Sequence, residues 1–360
     1  MRKRVAELRD KYQHIIMPAA LVGGFILDIF TLNRIDQIFD NVILITHLLV
    51  VATTIILLFS RETLFGKKFL SLKRVAWLQT AMVFSFGALF SGFIIFYTRS
   101  GSLLTSWPFI LSMILLMLGT EFKKKYFEKL TLQIVIFYLA IISWITFFIP
   151  VVFKRMGDII FLLSTFASLI VIGLFFILLH KINPLRFNLH RKKLTRSIAI
   201  ILVVFNLLYF LNIIPPIPLS LKYQAVYYEV QKLNPGYSAQ YEEAVWYNFW
   251  QKRSRNMHWR PGEDIFVFTQ VFAPTNLETK IDHEWEFYDK GNRRWEKRDI
   301  ISLSIAGGRA DGYRGFSKKE VLEYGKWRVE TSTNGKTLGV LFFDIEPYGS
   351  ELKELITEEL

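Results

Sequence analysis

The sequence predicts a membrane all-α helical bundle of about seven transmembrane helices, followed by a small mostly-β, sandwich-like extracytoplasmic domain. Three observations predict this fold class. Apolar residues make up 52% of the 360 residues, and long apolar segments alternate with short basic segments up to residue 214. The prolines Pro215, Pro216 and Pro218 then close the last apolar segment. Beyond them the chain becomes polar, β-branched and aromatic, a pattern typical of strands.

A helix needs about 20 apolar residues to cross the hydrocarbon core of a bilayer. The basic leader of the first candidate is similar to a signal peptide. Six further spans follow it without a clear small-x-small cleavage site, so we expect it to be retained. The chain then divides into a transmembrane domain (1–214), a proline-rich exit linker (215–222) and a soluble β-rich domain (223–360). The predicted spans are roughly 15–33, 41–59, 75–97, 103–120, 130–152, 158–180 and 197–214.

The net charge of +13 lies entirely in the apolar half of the chain. Residues 1–221 carry 24 Lys and Arg against 9 Asp and Glu, a net of +15. Residues 222–360 carry 20 against 22, a net of −2. Positive charge that follows apolar spans indicates loop orientation, so we expect the lipid bilayer, and not a nucleic acid, as the partner of this half.

The basic residues also predict the orientation of the spans. In chain order, the leader and the six loops hold 5, 1, 5, 1, 4, 2 and 6 Lys and Arg. The positive-inside rule places the N-terminus and the loops near Lys67, Lys123–Lys125 and Arg191–Lys193 in the cytoplasm. Seven spans then place the β-rich domain on the outer face of the cell membrane. One span more or fewer would place it inside.

Small residues recur one helical turn apart in two of the predicted spans. Such spacing lets helix backbones approach closely. Packing within the bundle is the favoured interpretation, and a homo-oligomer interface is the alternative. The pairs are Ala19/Gly23, Ala20/Gly24, Gly87/Ser91 and Ala88/Gly92.

Polar side chains inside predicted spans are the first candidate site, because they are costly in hydrocarbon. Asp28 and His47 both lie roughly 8–9 Å below the outer surface, so a contact between them is geometrically possible. Arg34, Asp36 and Arg99 lie near the same face. Mutual pairing without a substrate is the favoured interpretation of this cluster. A proton or ion relay and a catalytic role are the alternatives.

The soluble half reads mainly as strands. Residues 240–254 predict a short helix, and the acidic final ten residues predict a helix or tail. Alternation along Lys326–Thr331 turns Trp327 and Val329 inward and Arg328 and Glu330 outward. The predicted strands are Ile265–Phe272, a hairpin of 281–288 with 293–300, and a second hairpin of 326–331 with 337–345 around Asn334-Gly335.

The same half carries no recognisable catalytic motif. The chain has no cysteine, which excludes disulfides, thiol catalysis and Cys-ligated metals. It also lacks G-x-S-x-G, H-E-x-x-H, P-loop and G-x-G-x-x-G patterns, and the spacing of His258 and His283 suggests no metal pair. We therefore expect no cofactor and no metal. Exposed tryptophans in this half are candidates for stacking on sugars or peptides, although core packing is their commoner role.

A polar loop is the second candidate site, as a surface for a ligand or partner. It spans Tyr313–Lys319, and the candidate residues are Tyr313, Arg314, Phe316, Ser317 and Lys318.

Several motifs resemble the bacterial family called domain of unknown function 2914. In the C-terminal part they are Phe316-Ser317-Lys318, Gly325-x-Trp327-Arg328-Val329, Thr333-Asn334-Gly335-x-x-Leu338-Gly339 and Phe343-x-Ile345. The exit Pro215-Pro216-Ile217-Pro218-Leu219 and, near the first span, Gly24-Phe25-x-x-Asp28 with Arg34-Ile35-Asp36 are also similar to family members. The resemblance implies the two-part architecture. It implies no activity and no catalytic residue.

The favoured hypothesis is a non-enzymatic, polytopic membrane protein whose outer-face β domain binds a ligand or protein partner. It would have a role in the cell envelope, in sensing or in assembly. The alternative is a membrane-embedded enzyme or transporter that uses the polar cluster near the outer ends of spans one to three. A channel would need a polar stripe along several spans, which the sequence does not contain.

Overall fold

The chain folds into two compact units in a computed structural model. Met1–Thr98 and Ser106–Ile214 form a helical unit, and Arg99–Thr105 and Pro215–Leu360 form a β unit. The structure describes residues 23–32, 37–61, 63, 70–100, 103–122, 129–215, 219–234, 236–244, 253–273, 278–306, 312–349 and 354–360.

The described part of the helical unit contains seven helices. Five of them, α2, α3, α5, α6 and α7, are long and apolar enough to cross a membrane. In α4 the apolar stretch is the shorter Ser106–Gly119, and the residues of the first predicted span before 23 lie outside the described ones. Five predicted spans are thus confirmed as long apolar helices. The helices are α1 (23–31), α2 (Ile38–Ser60), α3 (Leu72–Ser100), α4 (Leu103–Phe122), α5 (Leu130–Phe153), α6 (Asp158–Ile182) and α7 (Pro184–Phe210).

The last helix begins 13 residues before the predicted start at 197. The Asn183 side chain caps it by accepting a hydrogen bond from the backbone N–H of Arg186 at 3.1 Å, and Pro184 occupies its first turn. The basic run Arg191–Lys193, predicted as a loop, is therefore helical. The helix ends before 214 because Asn212 adopts a left-handed φ of 59°. The helix is thus longer at its N-terminus than the predicted apolar span, because the basic segment before residue 197 is helical and capped by Asn183.

Aromatic rings form the centre of the helical unit. Tyr97 of α3 lies 4.5 Å from the ring centroid of Phe147 on α5 and 4.6 Å from that of Phe109 on α4. All three side chains are buried. Gly92 of α3 lets neighbouring side chains approach, since a Cβ there would lie 3.1 Å from Leu44 and 3.4 Å from Leu32. At this glycine the small residue serves packing within the chain.

The β unit contains three sheets of described strands, in the orders β1-β5-β8, β4-β10-β9-β6-β7 and β11-β3-β2. The strands are β1 (Ser220–Tyr227), β2 (Glu229–Leu233), β3 (Gly236–Glu242), β4 (Asn256–Trp259), β5 (Ile265–Phe272), β6 (Glu278–Asp289), β7 (Arg294–Ala306), β8 (Tyr313–Lys319), β9 (Gly325–Thr333), β10 (Lys336–Pro347) and β11 (Leu355–Glu359).

Both predicted hairpins are confirmed. β6 pairs with β7 and β9 pairs with β10, each antiparallel. Asn334 and Gly335 have φ values of 48° and 71°, the positive pair that a two-residue hairpin turn with the right-handed twist of the strands requires. On β9, Trp327 and Val329 are buried, as the alternation predicts.

The strand β5 has the predicted bounds and lies between two hydrophobic cores. Ile265 and Val267 pack into one core with Trp285 and Trp327. Phe268 packs into the other core, which includes Tyr227 and Tyr241 of the neighbouring strands. A strand covered on both faces needs apolar residues at successive positions, which explains why β5 lacks polar alternation.

Three predictions in the β unit are wrong. Residues 240–242, predicted to start a helix, belong to strand β3, and 245–252 of that predicted helix lie outside the described residues. Leu355–Glu359, predicted as helix or tail, is strand β11 and pairs with the edge of β3. Tyr313–Lys319, predicted as a loop, is strand β8 and pairs with β5. In each case a partner strand distant in the sequence satisfies the backbone, which local patterns do not reveal.

Candidate functional site

The polar residues predicted inside the spans bond to helix α3 and not to each other. Ser91 Oγ donates to Asp28 Oδ2 at 2.6 Å, and His47 Nδ1 shares a hydrogen bond with Ser85 Oγ at 3.3 Å. Asp28 and His47 attract each other electrostatically, but no ion pair joins these two described residues. Each of the two groups therefore has a serine partner on α3, in place of the mutual pairing that the sequence predicted.

The structure describes one of the other three predicted members of this cluster, Arg99. Arg34 and Asp36 lie outside the described residues. Arg99 is half-buried at the end of α3, eight residues or about 12 Å along the helix from Ser91. The serines of α3 were missed as partners. The spacing of small residues predicts a packing role for Ser91, whereas the tertiary structure pairs it with Asp28.

The five residues predicted as a ligand surface lie on both faces of strand β8, because alternate strand residues point to opposite sides. Ser317 is buried and Phe316 packs against a core. Arg314 donates from Nη1 to the backbone carbonyl of Leu360 at 3.1 Å. Lys318 pairs with Glu320 at 2.7 Å and Asp264 at 3.1 Å, which raises its pKa. Tyr313, half-buried, pairs with Val271 on β5.

Ser317 instead belongs to a buried polar network. Its Oγ lies 2.8 Å from His283 Nδ1 and accepts a hydrogen bond from Trp285 Nε1 at 3.0 Å. His283 Nε2 lies 3.0 Å from Thr269 Oγ1. Burial lowers the pKa of His283 to about 4, so the imidazole is neutral at pH 7.

A serine beside a histidine is the arrangement of a nucleophile and its base. Here both side chains are almost fully buried, at 1% and 0% exposed, and each polar atom already has a partner. A substrate cannot reach the oxygen in this structure, so the network stabilises the core. The sequence contains a signal for this burial, because His283 alternates with the apolar residues Ile281 and Trp285 and therefore lies on the same inward face of its strand.

The five-stranded sheet carries a row of aromatic rings on the side that points away from its hydrophobic core. We call this side the aromatic face and define it by Tyr288, Trp295, Arg328 and Phe342. The Trp295 ring lies 5.2 Å from Tyr288 and 5.8 Å from Phe342, between ring centroids. The Arg328 guanidinium lies 4.7 Å over the Trp295 ring. Phe342 is 37% exposed, and Tyr288 and Trp295 are half-buried.

Ion pairs hold this face in place. Arg328 binds the carboxylate of Glu286 through two donors, with Nη2 to Oε1 at 3.0 Å and a second short bond from Nε. Lys297 pairs with Glu284 at 2.6 Å on the same face. A guanidinium fixed by a bidentate pair fixes the ring it covers. The result is a pre-positioned row of rings with polar groups at its margin. The prediction that Arg328 points outward is confirmed, but Trp295 and Phe342 were not singled out.

A second surface cluster surrounds His258 on β4. Its Nδ1 lies 2.9 Å from Glu242 Oε2, and its Nε2 lies 3.7 Å from Glu346 Oε2. The Tyr228 hydroxyl donates to Glu242 Oε1 at 2.6 Å, and burial raises the pKa of Tyr228, so this donor keeps its proton. The buried Glu242 thereby orients the imidazole. The described residues contain no group of three potential ligands arranged to hold a metal ion.

Two solved structures are remotely similar to this chain. An immunoglobulin-like protein from Pseudomonas aeruginosa is 10% identical, with a TM-score of 0.22, over 36% of this chain and 96% of its own. The alkylpurine DNA glycosylase AlkC of Pseudomonas fluorescens, bound to DNA containing an abasic site analog, is 11% identical, with a TM-score of 0.22, over 87% of this chain and 99% of its own. Neither likeness supports a conclusion at such scores.

The family comparison is specific to the β unit. No curated protein matches the chain. The aromatic face and the His283 network's strand β6 both lie in the segment 278–345, which matches the model of the family described as "Protein of unknown function (DUF2914)". The predicted resemblance to this family is therefore confirmed in the C-terminal part of the chain, over residues 278–345.

Proposed function

We propose that this chain is a polytopic membrane protein whose β unit, on the outer face of the membrane, binds a ligand or protein partner without catalysing a reaction. The observation that carries the proposal is the contrast between two sites of the β unit. The groups with catalytic potential, Ser317 and His283, are buried and satisfied. The aromatic rings of Trp295 and Phe342 reach the surface.

The aromatic face suits a ligand that stacks on rings. Aromatic side chains bury large area at low conformational cost, and their quadrupoles favour flat or C–H-bearing partners. The ion pairs of Glu286 and Glu284 leave the margin of the face polar. Hydroxylated sugar rings and aromatic peptide side chains are the two ligand classes with this chemistry.

Five long apolar helices support the membrane location. An odd number of spans places the two ends of the chain on opposite sides. Five spans or seven therefore give the same outer location for the β unit, whereas six give the inner one. The alternation of basic residues favours a cytoplasmic N-terminus. A reporter fused after Leu360 that is active only outside the cytoplasm tests this directly, and activity of a cytoplasmic reporter instead would contradict it.

The binding proposal is tested on the full chain in detergent micelles with an array of soluble cell-wall glycans and short peptides. We expect saturable binding to at least one probe. Trp295→Ala should weaken it about tenfold, since a stacked ring contributes roughly 1.4 kcal/mol. Tyr324→Ala is the matched control, because Tyr324 is also exposed but packs against Trp259, away from the face. Binding to none of the probes, or equal losses in both variants, would contradict the proposal.

A second candidate function rests on Asp28. Its carboxylate, half-buried in an apolar helix with a serine donor, has the setting of a proton-carrying group. In proteoliposomes with a pH-sensitive dye inside, proton flux that Asp28→Asn abolishes would favour a transporter. The control is Thr31→Val on the same helix, where the hydroxyl donates to the backbone carbonyl of Leu27 and not to a side chain of α3 that Asp28 uses. Flux that is absent, or unchanged in Asp28→Asn, removes this candidate.

A further inference from the structure

The edge of strand β3 is occupied by a short segment from far along the chain. Strand β11 pairs antiparallel with β3, from Leu355 opposite Glu242 to Glu359 opposite Ser238. The ladder continues one residue further, where Leu360 N donates to Tyr237 O at 2.8 Å and Tyr237 N donates to Leu360 O at 3.1 Å. The backbone of β3 is thus satisfied on this edge by the segment 355–360 alone.

Two arginines outside β11 hold this segment. Arg253 binds the carboxylate of Glu358 through two bonds of 2.5 Å, from Nε and Nη2. The Tyr227 hydroxyl adds a third at 2.7 Å. Arg314 donates to the carbonyl of Leu360 at 3.1 Å. Gly236 gives this carbonyl room, because a Cβ there would lie 3.0 Å from it.

Arg253, which binds the Glu358 carboxylate, is itself surrounded by three tyrosine rings that form an aromatic cage. The Arg253 guanidinium lies 5.2, 5.8 and 5.1 Å from the ring centroids of Tyr223, Tyr227 and Tyr241. These tyrosines lie on β1 and β3, so the cage is built from strands other than β11. Burial acts to lower the pKa of Arg253, but the hydrogen bonds and charge of Glu358 outweigh it and raise the pKa. The cationic site is therefore matched to one carboxylate.

The apolar contact of this segment is made by Leu360, which packs against the core that includes Tyr241 and Phe268. Leu355 and Ile356 remain 41% and 36% exposed. What holds the segment is the main-chain ladder, one bidentate carboxylate, one carbonyl and the packing of the Leu360 side chain. That is how a sheet edge recognises an added peptide strand: backbone bonds give affinity, and a side-chain site gives specificity. Since this recognition uses a single apolar contact, another segment with the same polar features and an apolar residue at the position of Leu360 satisfies it equally.

We propose that the β3 edge, with Arg253 and Arg314, is an acceptor site for an extended acidic segment of a partner protein, and that β11 is the occupant which this segment displaces. The partner supplies about six extended residues, with a glutamate placed two residues before the carbonyl that Arg314 binds. Positive charge on both arginines selects an acidic segment over a neutral or basic one. None of these residues belongs to the aromatic face, so this proposal and the ligand-binding proposal succeed or fail separately.

Disulfide trapping tests the site on the full chain in micelles, because the native chain contains no cysteine. Ser238→Cys supplies one thiol on β3. The probe is a synthetic peptide with the sequence of residues 354–360, in which a cysteine activated as a 2-pyridyl disulfide replaces the glutamate corresponding to Glu359. The thiolate on β3 attacks this disulfide, which forms the mixed disulfide and releases pyridine-2-thione. These two positions face each other beside the hydrogen-bonded pair of Tyr237 and Leu360, in a non-hydrogen-bonded pair whose close spacing permits a disulfide.

We expect the peptide to form a mixed disulfide with this chain. A peptide with glutamine in place of the Glu358 equivalent should react about tenfold more slowly with the Ser238→Cys chain. In the Glu358→Gln background, where the native segment no longer makes the bidentate pair, adding Arg253→Lys should slow the original peptide about tenfold, because only the peptide then loses that pair. Lys232→Cys, on exposed strand β2 at the other edge, is the matched position control and should not trap the peptide.

Displacement is tested by weakening the native occupant. Glu358→Gln in the Ser238→Cys chain should speed trapping of the acidic peptide, and Glu359→Gln, the same change on the exposed neighbour, should not. If the Ser238→Cys chain traps the peptide no faster than the Lys232→Cys chain does, the acceptor site is overturned. Equal rates for the glutamate and glutamine peptides overturn the acidic specificity, and equal rates for the two glutamine variants overturn the role of β11 as a competing occupant.

Discussion

Protonation of the buried His283 should make the β unit less stable in mild acid. The imidazole lies between Thr269 and Ser317 with no exposed surface, and burial lowers its pKa from 6.5 to about 4. The unfolded chain therefore binds more protons than the folded one between these pH values. This contribution to stability is complete above pH 6.5 and is lost as the pH falls through the window towards 4. Between pH 7 and pH 4.5 the two pKa values correspond to a loss of about 2 kcal/mol.

Hydrogen exchange measures this effect within β6 on the full chain, after correction for the intrinsic exchange rate at each pH. The variant His283→Asn is the reference, because an amide can keep a hydrogen bond to Ser317 but does not titrate. Carboxylates common to both chains cancel in the difference. We expect the opening free energy of β6 to fall by about 2 kcal/mol more in the native chain than in the variant between pH 7 and 4.5. Equal pH dependence in the two chains would refute the reasoning.

Two further predictions concern the β9–β10 hairpin. Trp327→Ala should lower the free energy of unfolding of the β unit by about 3–5 kcal/mol, because it empties a buried site among Val329 and Phe343; chemical denaturation monitored by circular dichroism measures it, and a loss below 1 kcal/mol would contradict the packing. Gly335→Ala should cost about 1 kcal/mol, because φ is 71° there although no atom crowds the position. The same assay measures it, and an unchanged midpoint would show that the turn tolerates a side chain.

Local patterns predicted the elements whose partners are near in sequence. Apolar length identifies α2 and α5, and the Asn334-Gly335 turn between alternating strands identifies β9 with β10. Elements completed from afar were missed. Strand β11 alternates too weakly to predict a strand until β3 lies beside it, and β4 pairs in parallel with β10, which no hairpin pattern encodes. Local signals specify a strand only where the chain itself supplies the next one.

The candidate sites show the same limit. The inward and outward sense of Trp327 and Arg328 follows from alternation, because one core face decides it. The partner of Arg328 does not follow, since Glu286 is 42 residues away in the sequence. Asp28 was identified by the cost of a carboxylate in an apolar span, yet its partner Ser91 emerges only from the packing of α1 on α3. Sequence identifies residues that need a partner, and the fold decides which one they have.

The parallel pairing of β4 with β10 has a consequence for biosynthesis. Asn256 pairs with Asp344, which is synthesised 88 residues later. Strand β1 likewise pairs with β5, which follows it in the chain. During translation, the five-stranded sheet cannot close until residue 347 has left the ribosome, so the earlier strands emerge with unpaired edges. Such a domain is exposed to aggregation or to chaperones throughout its synthesis. A chain terminated before β10 would therefore lose the whole β unit, and a stop codon there should act as a null allele of the domain, not as a mild truncation.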